Sequence, residues 1–141
     1  MATKTAVVKN IKGVTFMGKA DSNHWVTMDG PEEFGGSNAG TRPKELILLA
    51  LGGCTGSDVA VILSKKKIKY DDFQMNITAD VSDTHPQIYT KINIEYVITG
   101  KDIPKEAVER AIELSQKTYC SVTAMLQKAV EITHSYKIIE A

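Results

Sequence analysis

Two thiols and one carboxylate are the residues of this chain best suited to chemistry. Cys54 follows Gly52 and Gly53 in the stretch LGGCTGSDV, and Asp58 stands four residues after it. At 100° per residue a helix carries Cys54 and Asp58 on one face, whereas Glu45, nine residues before the thiol, falls on the opposite side. A lone carboxylate beside a thiol raises the thiol's pKa, so a functional Asp58 requires a cation, and Arg42 and Lys44 are the nearest in sequence. Otherwise Asp58 is a buried acceptor for a hydroxyl such as that of Ser57 or Ser121. Cys120 directly precedes a short helical run that Ser121 can cap, and the unpaired N–H groups of a helix start favour a thiolate.

Both cysteines also have an inert reading, as small buried hydrophobes. Against that reading, two glycines inside a helix cost ~1 kcal/mol each relative to alanine, so Gly52 and Gly53 point to a demand for space beside Cys54. Neither the two cysteines nor His24, His85 and His134 show the spacing of a metal motif, so no metal and no cofactor are expected. His134 falls on the apolar side of a C-terminal strand, where a core or interface histidine with a hydrogen bond is expected.

The bulk chemistry narrows the partners. Seventeen basic and seventeen acidic residues cancel, which gives nucleic acid or an acidic membrane surface no electrostatic support. SKKKIK, residues 64 to 69, reads as a solvated helix end. The N-terminus lacks a signal-peptide profile and no apolar run approaches the ~20 residues of a membrane span, so a cytoplasmic location is expected. There a permanent disulfide is not expected, and the thiols are either inert or redox-active.

The elements that must position these groups follow from periodicity. TAVVKNI, GVTFMGKA and NHWVTMDG read as three short strands, and residues 30 to 43 as a glycine-rich connecting loop. A long helix begins at Pro43, with Glu45 at its third position reaching back to a free backbone N–H. Its body is apolar nearly all round, which predicts burial on most sides and covering from a second subunit. Two strands over 70–82 and 88–100, helices from Pro104 and Ser121, and a last strand over 130–139 complete the order βββ-α-ββ-α-α-β. This is a single α+β domain spanning 1–141.

RPKELILLALGGCTGSDVAVIL and LSQKTYCSV together resemble the OsmC/Ohr superfamily, in which a cysteine lies eleven residues after a proline and a second lies sixty-odd residues on, before a short helix. VKNIKGVTFMG, MDG, GGC, DVAVIL, YCSV and KAVEITHSYKI, in that order, are most similar to its YhfA-like branch. The resemblance covers essentially the whole chain. It implies antiparallel sheets around a long buried central helix, two intertwined subunits, and reduction of organic hydroperoxides for oxidative defence. Cys54 would attack the peroxide, Cys120 would resolve the sulfenic acid as a disulfide, and an unidentified dithiol would restore both.

The chain departs from the family pattern at one point. Peroxidase members place glutamate directly after the proline and draw an arginine from the N-terminal region, whereas here Lys44 follows Pro43, the glutamate is Glu45, and no arginine precedes Arg42. Two outcomes follow. Either Lys44, Lys19 or Arg42 lowers the pKa of Cys54 with Asp58 orienting the cation, or the thiol stays near ~8.5 and reacts slowly with peroxides; the alternative function is a non-catalytic dimer that binds a small apolar ligand at its interface.

Overall fold

The computed structural model describes all 141 residues, which form two compact units, Met1–Leu48 and Leu49–Ala141. The first holds β1 (Ala6–Lys12), β2 (Thr15–Ala20) and β3 (Val26–Met28) as an antiparallel sheet in the order β1-β2-β3. Within it Val7, Val8, Ile11, Phe16, Trp25 and Val26 remain exposed, an unusual state for β-branched and aromatic side chains.

The glycine-rich segment is more than a connection. Asp29, 1% exposed, accepts hydrogen bonds from the backbone N–H groups of Gly30, Ser37 and Ala39 and from the Thr15 hydroxyl. The loop thus folds around one carboxylate, and Gly36 passes so close to the Gly30 carbonyl that no side chain fits there. Burial pushes the Asp29 carboxyl up, but the hydrogen bonds, led by that from Ala39, outweigh it and hold it below the usual carboxylate range.

The helix α1 (Pro43–Lys65) starts as its sequence requires. The Glu45 carboxylate accepts from the Arg42 backbone N–H at 2.8 Å and from the Thr41 hydroxyl at 3.0 Å, satisfying a donor that the helix leaves free. Contrary to the sequence-based expectation, α1 is long and apolar enough to cross a membrane, with a mean hydropathy of 2.0 over its most apolar window. Its packing is that of a core helix: Leu51, Gly52, Thr55, Gly56, Val59 and Leu63 form one buried stripe. Outside that stripe Leu46, Leu48 and Ile62 are half-buried and Ile47, Leu49 and Val61 exposed in the single chain, so burial is narrower than its composition predicts.

In the second unit, β4 (Asp72–Val81) and β5 (Tyr89–Gly100) pair antiparallel, whereas β6 (Glu131–Glu140) pairs parallel to β5. The sheet is therefore mixed, which corrects the expectation of antiparallel sheets throughout. The reason is the connection, for α2 (Lys105–Leu114), a π-helical turn (Ser115–Tyr119) and α3 (Ser121–Leu126) carry the chain across the sheet and return it in the same direction. Ile92, Ile94, Tyr96 and Ile98 on β5 are fully buried, and Ala107, Val108, Ala111 and Ile112 of α2 are buried with them. Each buried isoleucine of this set, and Val108, contributes ~1.5–3 kcal/mol by leaving water. Strand β4 closes on α1, since a Cβ at Gly52 or Gly56 would stand 2.8 Å from Ile77 Cδ1 or Met75 Cε. His134 is exposed rather than in the core, because its position on β6 faces a groove beside α2 and the π turn.

Candidate functional site

The space beside Cys54 divides between the two glycines. Gly52 is where β4 approaches, whereas Gly53 faces open space. Cys54 is half-buried and Cys120 buried, both as free thiols. The two sulfurs and an Asp58 oxygen all lie within 4.8 Å of one another. Helical spacing accounts for Cys54 and Asp58, and the π turn accounts for Cys120. The Cys120 N–H donates to the carbonyl of Ser115, five residues back, at 2.8 Å. That wider loop ends the helix with Cys120 in extended backbone at the start of α3, where its sulfur accepts the Thr123 N–H at 3.4 Å.

The two thiols are made unequal by their donors. Burial pushes the Cys54 thiol up, but the Val122 N–H, with Cys120 and Ser121 behind it, more than offsets this and holds Cys54 below the ordinary thiol range. The negative charge of Asp58 works against that ionisation. Burial pushes Cys120 up, past the opposing bonds from Thr123, and the neighbouring Cys54 pushes it further. Of the two thiols Cys54 is therefore the readier to ionise, with Cys120 and the Ser121 hydroxyl, 3.9 Å from Cys54 Sγ, as its side-chain hydrogen-bond partners.

Asp58 is an acceptor, as its burial requires, but its donor is neither Ser57 nor Ser121. Ser57 donates to the Gly53 carbonyl, and it is Ser115 that donates to Asp58 Oδ2 at 2.9 Å. Behind Ser115 stand Thr55 at 2.7 Å and Tyr96, 2.6 Å from Thr55. Gln116 donates to both Thr55 and Tyr96 and accepts from the Thr123 hydroxyl at 3.3 Å. No buried side-chain polar atom of the chain is left without a partner.

The cations expected to serve Cys54 are occupied elsewhere or absent from its donors. Lys19 donates to Asn23 and sits 4.9 Å over the Trp25 ring, and the Arg42 guanidinium donates to Asn38 and the Gly40 carbonyl. Lys44 is exposed at the start of α1, and Glu45 is a capping residue. Backbone and side-chain hydrogen bonds, rather than a lysine or arginine, favour the ionised thiol. Sequence reasoning missed Thr55, Tyr96, Ser115 and Gln116, although the hydroxyls of Thr55, Tyr96 and Ser115 at buried positions of an otherwise apolar pattern are a signal that a network is present.

A family model described as OsmC-like protein matches residues 35–135. The chain belongs to the OsmC-like family. This OsmC-like protein is 40% identical over 139 residues to Protein YhfA of Escherichia coli strain K12, spanning 96% of this chain and 98% of that one. A hypothetical protein from Aquifex aeolicus VF5 has the same fold, with a TM-score of 0.86 at 30% identity over 100% of this chain and 99% of its own. An organic hydroperoxide resistance protein from Legionella pneumophila superposes with a TM-score of 0.70 at 16% identity, over 97% and 98% of the two chains, and so shares the OsmC fold.

Proposed function

We propose that this OsmC-like protein is a thiol-dependent organic hydroperoxide reductase acting as a cytoplasmic homodimer, with residues 1–141 working as one domain. The observation that carries the reading is the side-by-side placement of two free thiols, Cys54 half-buried and Cys120 buried behind it. Family membership and fold relatives described as organic hydroperoxide resistance proteins support a redox role in stress defence.

The chemistry follows from the unequal pair. The Cys54 thiolate attacks one peroxide oxygen, so that an S–O bond forms, the O–O bond breaks, and the alkoxide leaves and takes a proton to become the alcohol. Cys120, as thiolate, then attacks the Cys54 sulfur, and hydroxide departs to be protonated to water as the disulfide forms. A dithiol reduces that disulfide by exchange. Beside the thiols' neighbour Asp58 lies a groove of about 510 Å³, lined by Ser57, Lys65 and Lys66 as well as by Val61, Ile62, Leu114 and Tyr119, whose apolar side offers a surface for the organic part of a peroxide. Exposed Leu49 and Val61 on α1, and separately the exposed residues of β1, supply apolar surface for a second subunit.

Stopped-flow oxidation of the reduced protein by cumene hydroperoxide tests the reading. Rapid loss of two thiols per chain, with a Cys54–Cys120 linkage found by mass, supports it. A folded dimer whose thiols persist would overturn it and turn attention to the groove as a site for a small apolar ligand.

A further inference from the structure

We propose that Cys54, Asp58 and Cys120 form a site for a thiophilic divalent cation, zinc by its coordination preference, and that the bound ion closes both thiols to oxidation. No metal motif is visible in the chain, because the third ligand comes from a distant segment. In space the two sulfurs and a carboxylate oxygen already lie within 4.8 Å of one another. Tetrahedral zinc, with Zn–S ~2.3 Å and Zn–O ~2.0–2.2 Å, places its ligand atoms roughly 3.5–3.8 Å apart, so side-chain rotation of about 1 Å completes the site.

Three features of the site favour an ion. Cys54 and Asp58 are four residues apart on α1, the separation at which one helix face presents two ligands to a single metal. Ser115 holds Asp58 by Oδ2, which leaves Oδ1 to ligate, and the Thr123 N–H fixes Cys120 Sγ; such outer bonds orient metal ligands. Asp58 takes part in none of the ion pairs Lys4–Asp21, Lys105–Glu109, Arg110–Glu113 and Lys117–Glu113, and Lys65 and Lys66, which line the same groove, do not pair with it. A dication taking both sulfurs as thiolates, with any thiol proton released to solvent, supplies the positive charge that a carboxylate beside thiols calls for.

The donor set selects the metal. Thiolates exclude magnesium and calcium in favour of zinc and its softer relatives, and three protein ligands leave a fourth tetrahedral position for water. Asp58 lines an open groove of about 510 Å³, with Lys65 and Lys66 on the same wall, so its carboxylate can be reached from solvent. Metal binding does not require peroxide reduction; only the closing of the thiols to oxidation rests on the reductase reading.

The test is an anaerobic titration of the reduced, metal-stripped protein with Co²⁺, followed by competition with Zn²⁺. One cobalt per chain is expected, with thiolate-to-cobalt charge transfer and intense tetrahedral visible bands that zinc abolishes. Asp58→Asn should weaken zinc binding by about tenfold or more while the charge-transfer band persists, and Cys120→Ser should lose about half of that band. Zinc-loaded protein should lose thiols to cumene hydroperoxide at least about tenfold more slowly than the metal-stripped protein. Absence of the charge-transfer band, or a zinc affinity indifferent to both substitutions, overturns the site. Rapid oxidation of metal-stripped protein that shows no cobalt band would reject the metal site alone and leave the reductase reading intact.

Discussion

Ser115 donates its hydroxyl proton to Asp58 at 2.9 Å, joining residues 57 apart in sequence, and that one bond sets the direction of every hydrogen bond behind it. A serine has a single proton to give, so with Asp58 as its acceptor Ser115 must accept from Thr55 at 2.7 Å. Thr55 in turn accepts from Tyr96 at 2.6 Å and from Gln116 at 3.0 Å. Burial leads in pushing the Tyr96 phenol up to about 12, so it remains a donor at any physiological pH. The result is a directed chain, Tyr96 to Thr55 to Ser115 to Asp58, that holds the carboxylate still beside the thiols.

Ser115→Ala cuts this chain at its middle and leaves the buried Thr55 proton without an acceptor. The expected cost is ~1–3 kcal/mol of stability, read as a lower urea midpoint with an unchanged slope. A variant as stable as the parent would show that the chain does not act as a unit.

Iodoacetamide alkylation of the reduced, metal-free protein should follow the two thiols separately. Because Cys54 lies below the ordinary thiol range and Cys120 above it, Cys54 is expected to be modified first, faster at pH 7 than a free thiol of pKa ~8.5. Asp58→Asn removes a neighbouring negative charge, so the inflection for Cys54 should move to still lower pH. Mapping the modified cysteine by mass at each pH checks both statements.

Asp29 should leave its mark on acid stability. Its folded-state pKa is depressed, so its contribution is present above the unfolded value of ~3.9 and disappears as pH falls through the folded value. Asp29→Asn should therefore lower Tm at neutral pH and flatten the decline below about pH 4. Melting curves at several pH values measure the difference between the two proteins.

Glycines 52 and 53 are adjacent yet should respond oppositely to alanine. A Cβ at Gly52 meets Ile77 at 2.8 Å, and such overpacking costs ~1–3 kcal/mol, whereas Gly53 meets nothing and gains helix propensity of up to ~1 kcal/mol. Gly53→Ala should stabilise the isolated chain in thermal melts. Destabilisation there, with a loss of dimer by ultracentrifugation, would reveal a partner subunit occupying that space.

What was legible in the sequence was whatever lies along one helix or one strand. The shared face of Cys54 and Asp58, the cap at Glu45, and the buried set Ile92, Ile94, Tyr96 and Ile98 all follow from a period of 3.6 or 2. What was hidden depends on contacts between elements. Ser115 reaches Asp58 from the end of α2, Tyr96 reaches Thr55 from β5, and the parallel return of β6 depends on how the crossover packs. Asp29 escaped notice because its partners are backbone N–H groups of a loop, and backbone donors leave no trace in residue identity. The expected cations failed for a related reason: nearness in sequence brought Arg42 and Lys19 to local acceptors.

The π turn at Ser115–Tyr119 makes the meeting of the two cysteines a matter of arithmetic. One surplus residue in that coil, seen in the five-residue reach from the Cys120 N–H to the Ser115 carbonyl, sets where Cys120 emerges relative to Ser115. Ordinary α-helical winding closes that reach in four residues, so five residues here span what four otherwise would. The number of residues between Ser115 and Cys120 is thus as much a part of this site as the thiols themselves.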